Sequence, residues 1–223
     1  MGHGPLRVVL ATLASLCSAG AAAQAEGSFV HQEQYAYVGL TAGQSKARNS
    51  GSCSDLSGLF SPGFSCSIED TDVAWKVFAG YQADRHIAVE VSYVDLGTFK
   101  LSASGLVTGV PVSASEKLHA YGFGADLVLS APVSDEFALF LRVGLLAWTL
   151  KDSASASSNV ASNNQQQKAT GTGVTFGAGA RYDFAEDVGL RIEFQRFKDI
   201  GDENKTGQSD VDVISASLVW RFR

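Results

Sequence analysis

The sequence predicts an all-β fold, an eight-stranded antiparallel up-and-down transmembrane β-barrel. Three observations support this prediction. The last segment of the chain alternates between apolar and polar residues, the first segment reads as an export signal, and the connections between strands alternate between short and long. These features agree with a barrel that crosses a membrane, because each of its strands presents one apolar and one polar face.

The last segment, residues 211–223, reads VDVISASLVWRFR and has an apolar side chain at every second residue from Ile214 to Phe222. A strand with two unlike faces has this period. A final strand with an aromatic residue next to its end is characteristic of bacterial outer-membrane barrels, where it closes the barrel and serves as the assembly signal. We therefore assign the C-terminal assembly signal to Leu218, Trp220 and Phe222.

Residues 1–25 are predicted to be a secretory signal peptide. Arg7 precedes an apolar run, small residues follow, and an A-x-A site allows cleavage after Ala23 or Ala25. The apolar run is far shorter than the roughly 20 residues that a spanning helix needs. A lipidated Cys17 is a further alternative, although Leu16 stands where a small residue is expected. The barrel domain is predicted to be residues 26–223.

Alternation of apolar and polar residues predicts eight strands in all. Short turns join the second strand to the third, the fourth to the fifth and the sixth to the seventh, whereas the other links are mostly longer and polar. Residues 151–170 are of low complexity and are predicted to be mobile. The predicted strands are 35–46, 72–82, 86–101, 116–130, 137–150, 173–184, 188–197 and 211–223, and the predicted surface loops are 47–71, 102–115, 151–172 and 198–209.

The apolar face of the strands is predicted to contact lipid. It carries Trp, Tyr, Phe and Leu, while the opposite face carries Gly, Ser, Thr and full charges. A barrel of eight strands has an interior that side chains alone can fill. The competing fold is a soluble β-sandwich or lipocalin-like barrel, which the signal peptide and the terminal strand disfavour. Aromatic residues near strand ends are expected at the membrane interfaces, namely Tyr81, Tyr93, Tyr182, Trp220 and Phe222.

Composition excludes one class of function and indicates one covalent bond. Removing Arg7 with the signal leaves 16 basic against 23 acidic residues, and this balance argues against nucleic-acid binding. Cys53 and Cys66 are the cysteines that remain, in a polar stretch rich in Gly and Ser. In an exported protein such a pair predicts a disulfide. The alternative, half of a metal site, has no His or Cys partners nearby.

Catalytic residues, a cofactor site and a metal site are not predicted. A hydrolytic barrel would need a His near a nucleophile and an acid at its outer rim. His31 precedes the first strand, His86 lies in a short turn, and His119 points outward without a Ser–acid arrangement. The acids within 199–212 could bind Ca²⁺ weakly, but a solvated loop explains them better.

Several stretches resemble the transmembrane domain of the outer-membrane protein A (OmpA) family. They are YVGLTAG (37–43), KVFAGYQ (76–82), VEVSYVDLG (89–97), GARYDFAEDVGLRIEFQRF (179–197) and SDVDVISASLVWRF (209–222). The resemblance covers nearly the whole predicted mature chain. Many members carry an additional periplasmic domain that binds peptidoglycan. This chain stops at the eighth strand, so a peptidoglycan-binding role is not expected.

Six charged residues have inward parity and are expected to pair in the lumen, because an unpaired buried charge is very costly. The resemblance implies a salt-bridge network that plugs the lumen and gates it; a network that only fills the core is the alternative. Arg181 stands where the family usually has an acid, and Val128 replaces the expected base on the fourth strand. The six residues are Glu90, Asp126, Arg142, Arg181, Arg191 and Glu193.

The function expected from these features is structural. The barrel would anchor four surface loops in the outer membrane of a Gram-negative bacterium, with roles in envelope integrity, adhesion or host contact that rest on the resemblance. The rival is a small, low-conductance pore for ions or small solutes, gated by the interior charges. Expected partners are outer-membrane lipid and lipopolysaccharide, the barrel assembly machinery, and a host or surface ligand bound by the loops. The protein is expected to be a monomer.

Overall fold

The computed structural model describes residues 34–48, 53, 64–107, 110–158, 162–202 and 207–222. The predicted signal peptide lies outside these residues. The described chain is almost entirely β-strand. Its strands are β1 (Tyr35–Ala47), β2 (Ser65–Glu69), β3 (Thr71–Gln82), β4 (Ile87–Val107), β5 (Val110–Pro132), β6 (Phe137–Ser158), β7 (Ser162–Asp183), β8 (Val188–Asp202) and β9 (Gly207–Phe222).

Antiparallel pairing joins the strands into a ring. From β3 to β9 each strand pairs with its neighbours in sequence, β1 pairs with β3 and with β9, and β4 and β5 pair along their length. The short strand β2 pairs with β4 beyond the point where β3 stops, so β2 and β3 together form one stave of the wall. The predicted eight-stranded antiparallel barrel is therefore confirmed. Closure leaves the membrane-spanning part without a free sheet edge, which lipid could not satisfy.

Three of the predicted surface loops are largely strand, which corrects the sequence prediction. Residues 102–107, 110–115, 151–158 and 162–172 extend two long hairpins, and β8 and β9 continue into the link predicted at 198–209. The segment predicted to be mobile pairs in register, with Ser155 opposite Asn164 and Gln167 opposite Asp152. Polar residues on both faces obscure the alternation that predicts strands, yet they leave the backbone hydrogen bonds available.

Residues alternate between a filled interior and an apolar exterior. Leu40, Val91, Leu141 and Ile192 are each more than half exposed, whereas inward residues on the same strands are buried. The exterior apolar stretch on β6 runs from Phe137 to Ala147, and its length suits the roughly 9–11 residues of a membrane-spanning strand. Among the described residues, no helix is long and apolar enough to span a membrane.

The two ends of the barrel differ. At one end the turns are tight; in the turn between β3 and β4 the Asp84 carboxylate accepts hydrogen bonds from the backbone N–H groups of His86 and Ile87. At the other end the strands extend past the apolar band. There β7 and β8 stop pairing beyond Thr175 and Phe197, so the wall divides above this point. A bulge at Gly97, whose φ is 86°, bends β4 where it leaves the apolar band.

Candidate functional site in the barrel lumen

The lumen contains a network of six charged side chains near its middle. They come from β3, β4, β5, β6 and β8, and all point inward because each occupies an inward position of its strand. Each is at most 5% exposed. The network has three cations and three anions and is therefore neutral. Its members are Lys76, Glu90, Asp126, Arg142, Arg191 and Glu193.

Every charge in this network has an opposite charge within 4 Å. Arg191 Nη1 lies 2.5 Å from Glu90 Oε1, and Arg142 Nη2 contacts Glu90 Oε2. Arg142 also lies 3.6 Å from Asp126 Oδ2 and 3.5 Å from Glu193 Oε2. Lys76 Nζ contacts the Glu193 carboxylate. Arg142 therefore joins the ion pairs into one continuous network.

Neutral side chains add further hydrogen bonds to the carboxylates and to two of the cations, while the Nε atoms of Arg142 and Arg191 are buried without a hydrogen-bond partner. Tyr37 donates its hydroxyl to Glu90 Oε1 at 2.7 Å, and Thr175 donates to Asp126 Oδ1 at 2.6 Å. Gln195 Oε1 accepts from Lys76 Nζ at 3.0 Å and from Arg142 Nη1 at 3.3 Å. These added hydrogen bonds matter because they offset part of the cost of removing the charges from water.

An aromatic layer covers the network toward the tight-turn end. The Arg191 guanidinium carbon lies 5.1 Å from the ring centre of Tyr37, 5.2 Å from that of Phe78 and 5.4 Å from that of Phe140. These distances are within cation–π range. Glycines opposite the rings make room for them: a Cβ on Gly80 would lie 2.3 Å from Tyr37 Cζ.

An apolar layer covers the network toward the extended end, and sequence reasoning missed it. Its residues sit at inward positions above the charges, where the sequence pattern was read as small or polar. Trp148 is 5% exposed and Leu96 is fully buried. The signal was present in the sequence, because β6 carries large apolar residues at both parities from Leu145 to Leu150. The layer includes Leu96, Phe99, Leu146, Trp148, Leu150, Phe197, Ile200, Val211 and Val213.

Between the charged and apolar layers lies a cavity of about 10 Å³. Lys76, Glu193 and Gln195 line one side of it, and Val94 and Phe197 line the other. Its volume is close to the minimum that holds one water molecule. Three successive layers of packed side chains therefore fill the lumen, and the cavity between two of them is no larger than a water molecule.

Five of the six sequence-predicted interior charges meet in this network, and Arg181 does not. Arg181 lies near the tight-turn end, where its Nε is 3.4 Å from Asp183 and its Nη1 donates to the Tyr35 hydroxyl at 3.2 Å. Lys76 supplies the third cation instead. Its inward position follows from the same alternation, so the expected number of charges was correct and one member of the expected set was wrong.

The other predicted site residues lie on or near the wall. Cys53 and Cys66 form a disulfide that ties β2 to the preceding segment. Leu218, Trp220 and Phe222 project outward from β9, paired with Leu40, Val38 and Ala36 of β1. His119 lies on the outer face and does have an acidic partner, since its Nε2 is 3.0 Å from Asp95 Oδ2. His86 lies in a turn near Asp84, and His31 is outside the described residues. No group of three His, Cys, Asp or Glu that could hold a metal occurs among the residues described.

Comparison with known proteins identifies the family. The family described as the OmpA-like transmembrane domain matches residues 31–223. The chain belongs to this family. Outer membrane protein A of Escherichia fergusonii is 26% identical over 149 residues, which cover 65% of this chain and 39% of that protein. Outer membrane protein A of Escherichia coli O157:H7 is 27% identical over 149 residues, or 65% and 38% of the two chains.

The OmpA-like chain thus spans about two fifths of the length of the curated relatives that it matches. The solved structure of Neisserial surface protein A has a similar fold, with a TM-score of 0.51 at 18% identity, and the match covers 84% of this chain and 97% of that one. The OmpA-like barrel is a protein of the bacterial outer membrane. Its tight turns accordingly face the periplasm, and its extended hairpins face the cell exterior.

Proposed function

We propose that this OmpA-like barrel is a closed membrane anchor that displays its extended hairpins at the cell surface. The observation that carries this proposal is the filled lumen: an apolar layer, a neutral charge network and an aromatic layer follow one another across the membrane. A conducting path would need continuous water. The apolar layer interrupts such a path even if the charges below it rearrange.

The charge network serves the anchor by fixing the relative positions of the strands. Arg142 contacts carboxylates from β4, β5 and β8, so three staves are held to β6 by one side chain. Removing one member of a buried pair typically costs 3–5 kcal/mol, because the remaining charge is left uncompensated. On this view the charges act as a rigid core, and gating is the rival hypothesis.

We assign no catalytic activity to the barrel in this proposal. The nearest feature to a catalytic group is the His119–Asp95 pair on the outer face. Hydrolysis with such a pair also needs a nucleophilic side chain that is hydrogen-bonded to the other ring nitrogen of the histidine. The residue opposite His119 on β4 is Thr98, and Lys151 lies opposite on β6. The pair fits a membrane-interface role better, because the His119 ring lies 5.5 Å from that of Tyr121.

The displayed surface is proposed to make the contacts with host or environmental partners. The hairpins of β4–β5 and β6–β7 each continue beyond the apolar band as paired strands, so they present a fixed surface. Engagement by the barrel assembly machinery through β9 and a monomeric state complete the proposal. Surface display is tested by labelling a single cysteine at Ala156 in intact cells with a membrane-impermeant reagent, with Ala83 in a periplasmic turn as the control.

Conductance of the refolded protein in planar bilayers tests the closed anchor against the pore. We expect the wild type to be silent. Arg191→Ala should also remain silent because the apolar layer persists, whereas the double variant Trp148→Ala, Arg191→Ala should conduct. Leu141→Ala, which truncates a lipid-facing residue, is the matched control. Discrete openings of the wild type that change with Glu90→Gln would establish the pore and reject the closed anchor.

A further inference from the structure

Four lysines form a cationic band on the outer face of β4–β7. Lys100, Lys117, Lys151 and Lys168 occupy outward positions on four consecutive strands, and His119 lies beside them. The band lies directly above the lipid-facing residues. The protein as a whole carries a formal charge of −6, so this concentration of positive charge runs against its composition.

The lysines of this band face one another in directly opposed pairs. Lys100 is the cross-strand partner of Lys117, and Lys151 is the partner of Lys168. Like charges directly opposite each other on one face of a sheet are destabilising. Lys100 Nζ lies 2.9 Å from Glu69 Oε2, and this salt bridge offsets part of the repulsion. No carboxylate among the described residues lies within 4 Å of Lys117, Lys151 or Lys168.

The opposite side of the barrel pairs three of its outward cations with acids. On the outer face of β1 and β8, Lys46 lies 3.7 Å from Asp70, and Arg48 and Arg196 both lie 2.5 Å from Asp212. Lys198 of β8 is an exception, because no carboxylate of the described residues lies within 4 Å of it. The lysines of β5, β6 and β7 thus differ from most outward cations of the opposite side in having no acid of their own.

The surfaces below and above the cationic band indicate the kind of anion. Below it lies an aromatic cluster: the Tyr93 ring is 5.4 Å from Trp75, 6.3 Å from Tyr121 and 5.2 Å from Phe123. Lys151 Nζ lies 5.2 Å from the Tyr121 ring centre, so the band begins at the aromatic cluster. Aromatic residues of this kind mark the membrane interface.

Above the band lies a hollow of about 400 Å³ whose walls are rich in hydroxyl groups. Cross-strand register places its serines in two rows over four strands, all on the outer face. Serine hydroxyls both donate and accept hydrogen bonds, as sugar hydroxyls do. The two rows are Ser65, Ser104, Ser113 and Ser157, and Ser67, Ser102, Ser115 and Ser155.

We propose that this outer face binds a phosphorylated glycolipid of the outer leaflet. Its acyl chains lie against the aromatic cluster, its phosphate contacts Lys117, Lys151 and Lys168, and its sugars extend into the serine-lined hollow. The vertical order of apolar, cationic and hydroxyl surfaces matches the order of acyl chain, phosphate and sugar in such a lipid. The proposal goes beyond the closed anchor, since a filled lumen neither requires nor provides a lipid site.

A soluble polyanion matches this face less well. The lysines would pair with its charge, but a soluble polyanion would have no apolar part to contact the adjoining aromatic cluster. Lipid phosphates, by contrast, are held at this level by the bilayer itself, and each basic residue near a membrane surface attracts them. The three lysines without an acid are therefore expected to give at least about a tenfold preference for the phosphorylated lipid over a dephosphorylated one.

The test uses the whole chain in phosphatidylcholine nanodiscs, with bisphosphorylated lipid A as the probe and dephosphorylated lipid A as its control. The triple variant Lys117→Gln, Lys151→Gln, Lys168→Gln should bind the phosphorylated probe at least about tenfold more weakly. The matched variant Lys46→Gln, Arg48→Gln, Arg196→Gln removes the same charge from the other side and should bind like the wild type. Heat-modifiable gel mobility confirms that each variant is folded.

Thermal unfolding gives an independent readout with a reversal of sign. Without the probe, the triple lysine variant should unfold at a higher temperature than the wild type, because the opposed charges are gone; with the probe, the order should reverse. Equal binding by the triple variant and the wild type, equal loss in the matched variant, or equal binding of dephosphorylated lipid A would overturn the proposal. Full competition by a soluble sulfated glycan would assign the band to polyanions instead.

Discussion

The Glu90 carboxylate holds two guanidinium groups at once, with Arg191 on Oε1 and Arg142 on Oε2. Tyr37 donates a third hydrogen bond to Oε1 at 2.7 Å. Two arginines that would otherwise repel each other are thereby fixed side by side inside the membrane. Glu90 is thus central to the network. Its loss would take a carboxylate partner from both arginines and leave one excess positive charge in the lumen.

Glu90→Gln is expected to destabilise the barrel by about 3–5 kcal/mol, because the Arg191 charge loses its carboxylate partner. Urea unfolding of the refolded protein in detergent, followed by tryptophan fluorescence, measures the change. Glu69→Gln removes an exposed acid and should cost less than about 1 kcal/mol. Equal midpoints for the two variants would show that the network contributes nothing to stability.

Gly80→Ala is expected to cost about 1–3 kcal/mol by overpacking. The added methyl group would lie 2.3 Å from Tyr37 Cζ, so the ring must shift and its hydrogen bond to Glu90 must lengthen. Thermal unfolding of the variant and of Tyr37→Phe in the Gly80→Ala background measures the coupling. A double variant whose loss equals the sum of the single losses would contradict a shared mechanism.

Replacing both cysteines, as in Cys53→Ser, Cys66→Ser, should leave the barrel folded but make the β2 extension, Ser65–Glu69, more sensitive to protease. The disulfide closes a loop with a sequence separation of 13, which corresponds to roughly 3 kcal/mol in the chain-entropy model. Cys66 lies on β2, outside the membrane-spanning part, so the cost falls on the extension. Mass spectrometry of the unreduced wild type should find no free thiol at these positions.

Glu116 and Asp152, which lie in the extended hairpins, should lower the stability of these hairpins at neutral pH. Burial and the neighbouring Asp152 raise the pKa of Glu116, and burial raises the pKa of Asp152. A carboxyl whose folded pKa is raised disfavours folding when ionised, so stability should increase as pH falls from neutral toward the unfolded values near 4. Glu116→Gln should raise the free energy of unfolding by about 0.5–1 kcal/mol at pH 7. It should also make stability depend less on pH, as measured by thermal unfolding. A steeper dependence would contradict the assignment.

Ser155→Pro tests the correction of the predicted mobile segment. Ser155 is paired with Ser115 on one side and Asn164 on the other, so proline removes a backbone donor from the middle of the sheet. Amide hydrogen exchange around residues 151–158 should be slow in the wild type and fast in the variant. Ser134→Pro in a periplasmic turn is the control. Rapid exchange in the wild type would support the prediction of a mobile loop and contradict the paired strands.

The part of the fold that lies in the membrane could be predicted from the sequence, because lipid enforces strict alternation there. Leu139, Leu141 and Val143 face lipid, and their spacing at every second residue predicted β6 correctly. Outside the membrane water tolerates either face, so Ser153, Ser155 and Ser157 gave no comparable signal although they continue the same strand.

The contents of the lumen could be predicted only in part. Parity identifies which side chains point inward, but it does not give their level along the barrel axis. Arg181 and Arg191 share an inward parity and are direct partners across β7 and β8, yet only Arg191 reaches Glu90. The apolar layer was missed although parity gives it: Trp148 shares the inward parity of Arg142, but the sequence does not show that its level lies above the charges.

The neutrality of the charge network also constrains how the protein enters the membrane. Lys76, Glu90, Asp126 and Arg142 come from four different staves, and each would carry an unpaired charge into lipid if its strand were inserted alone. A lipid-exposed lysine or arginine near the bilayer midplane costs about 2–4 kcal/mol, and an acid costs less. Insertion strand by strand would therefore meet a barrier at nearly every step, so the staves must assemble around their charges before or while they leave the aqueous phase.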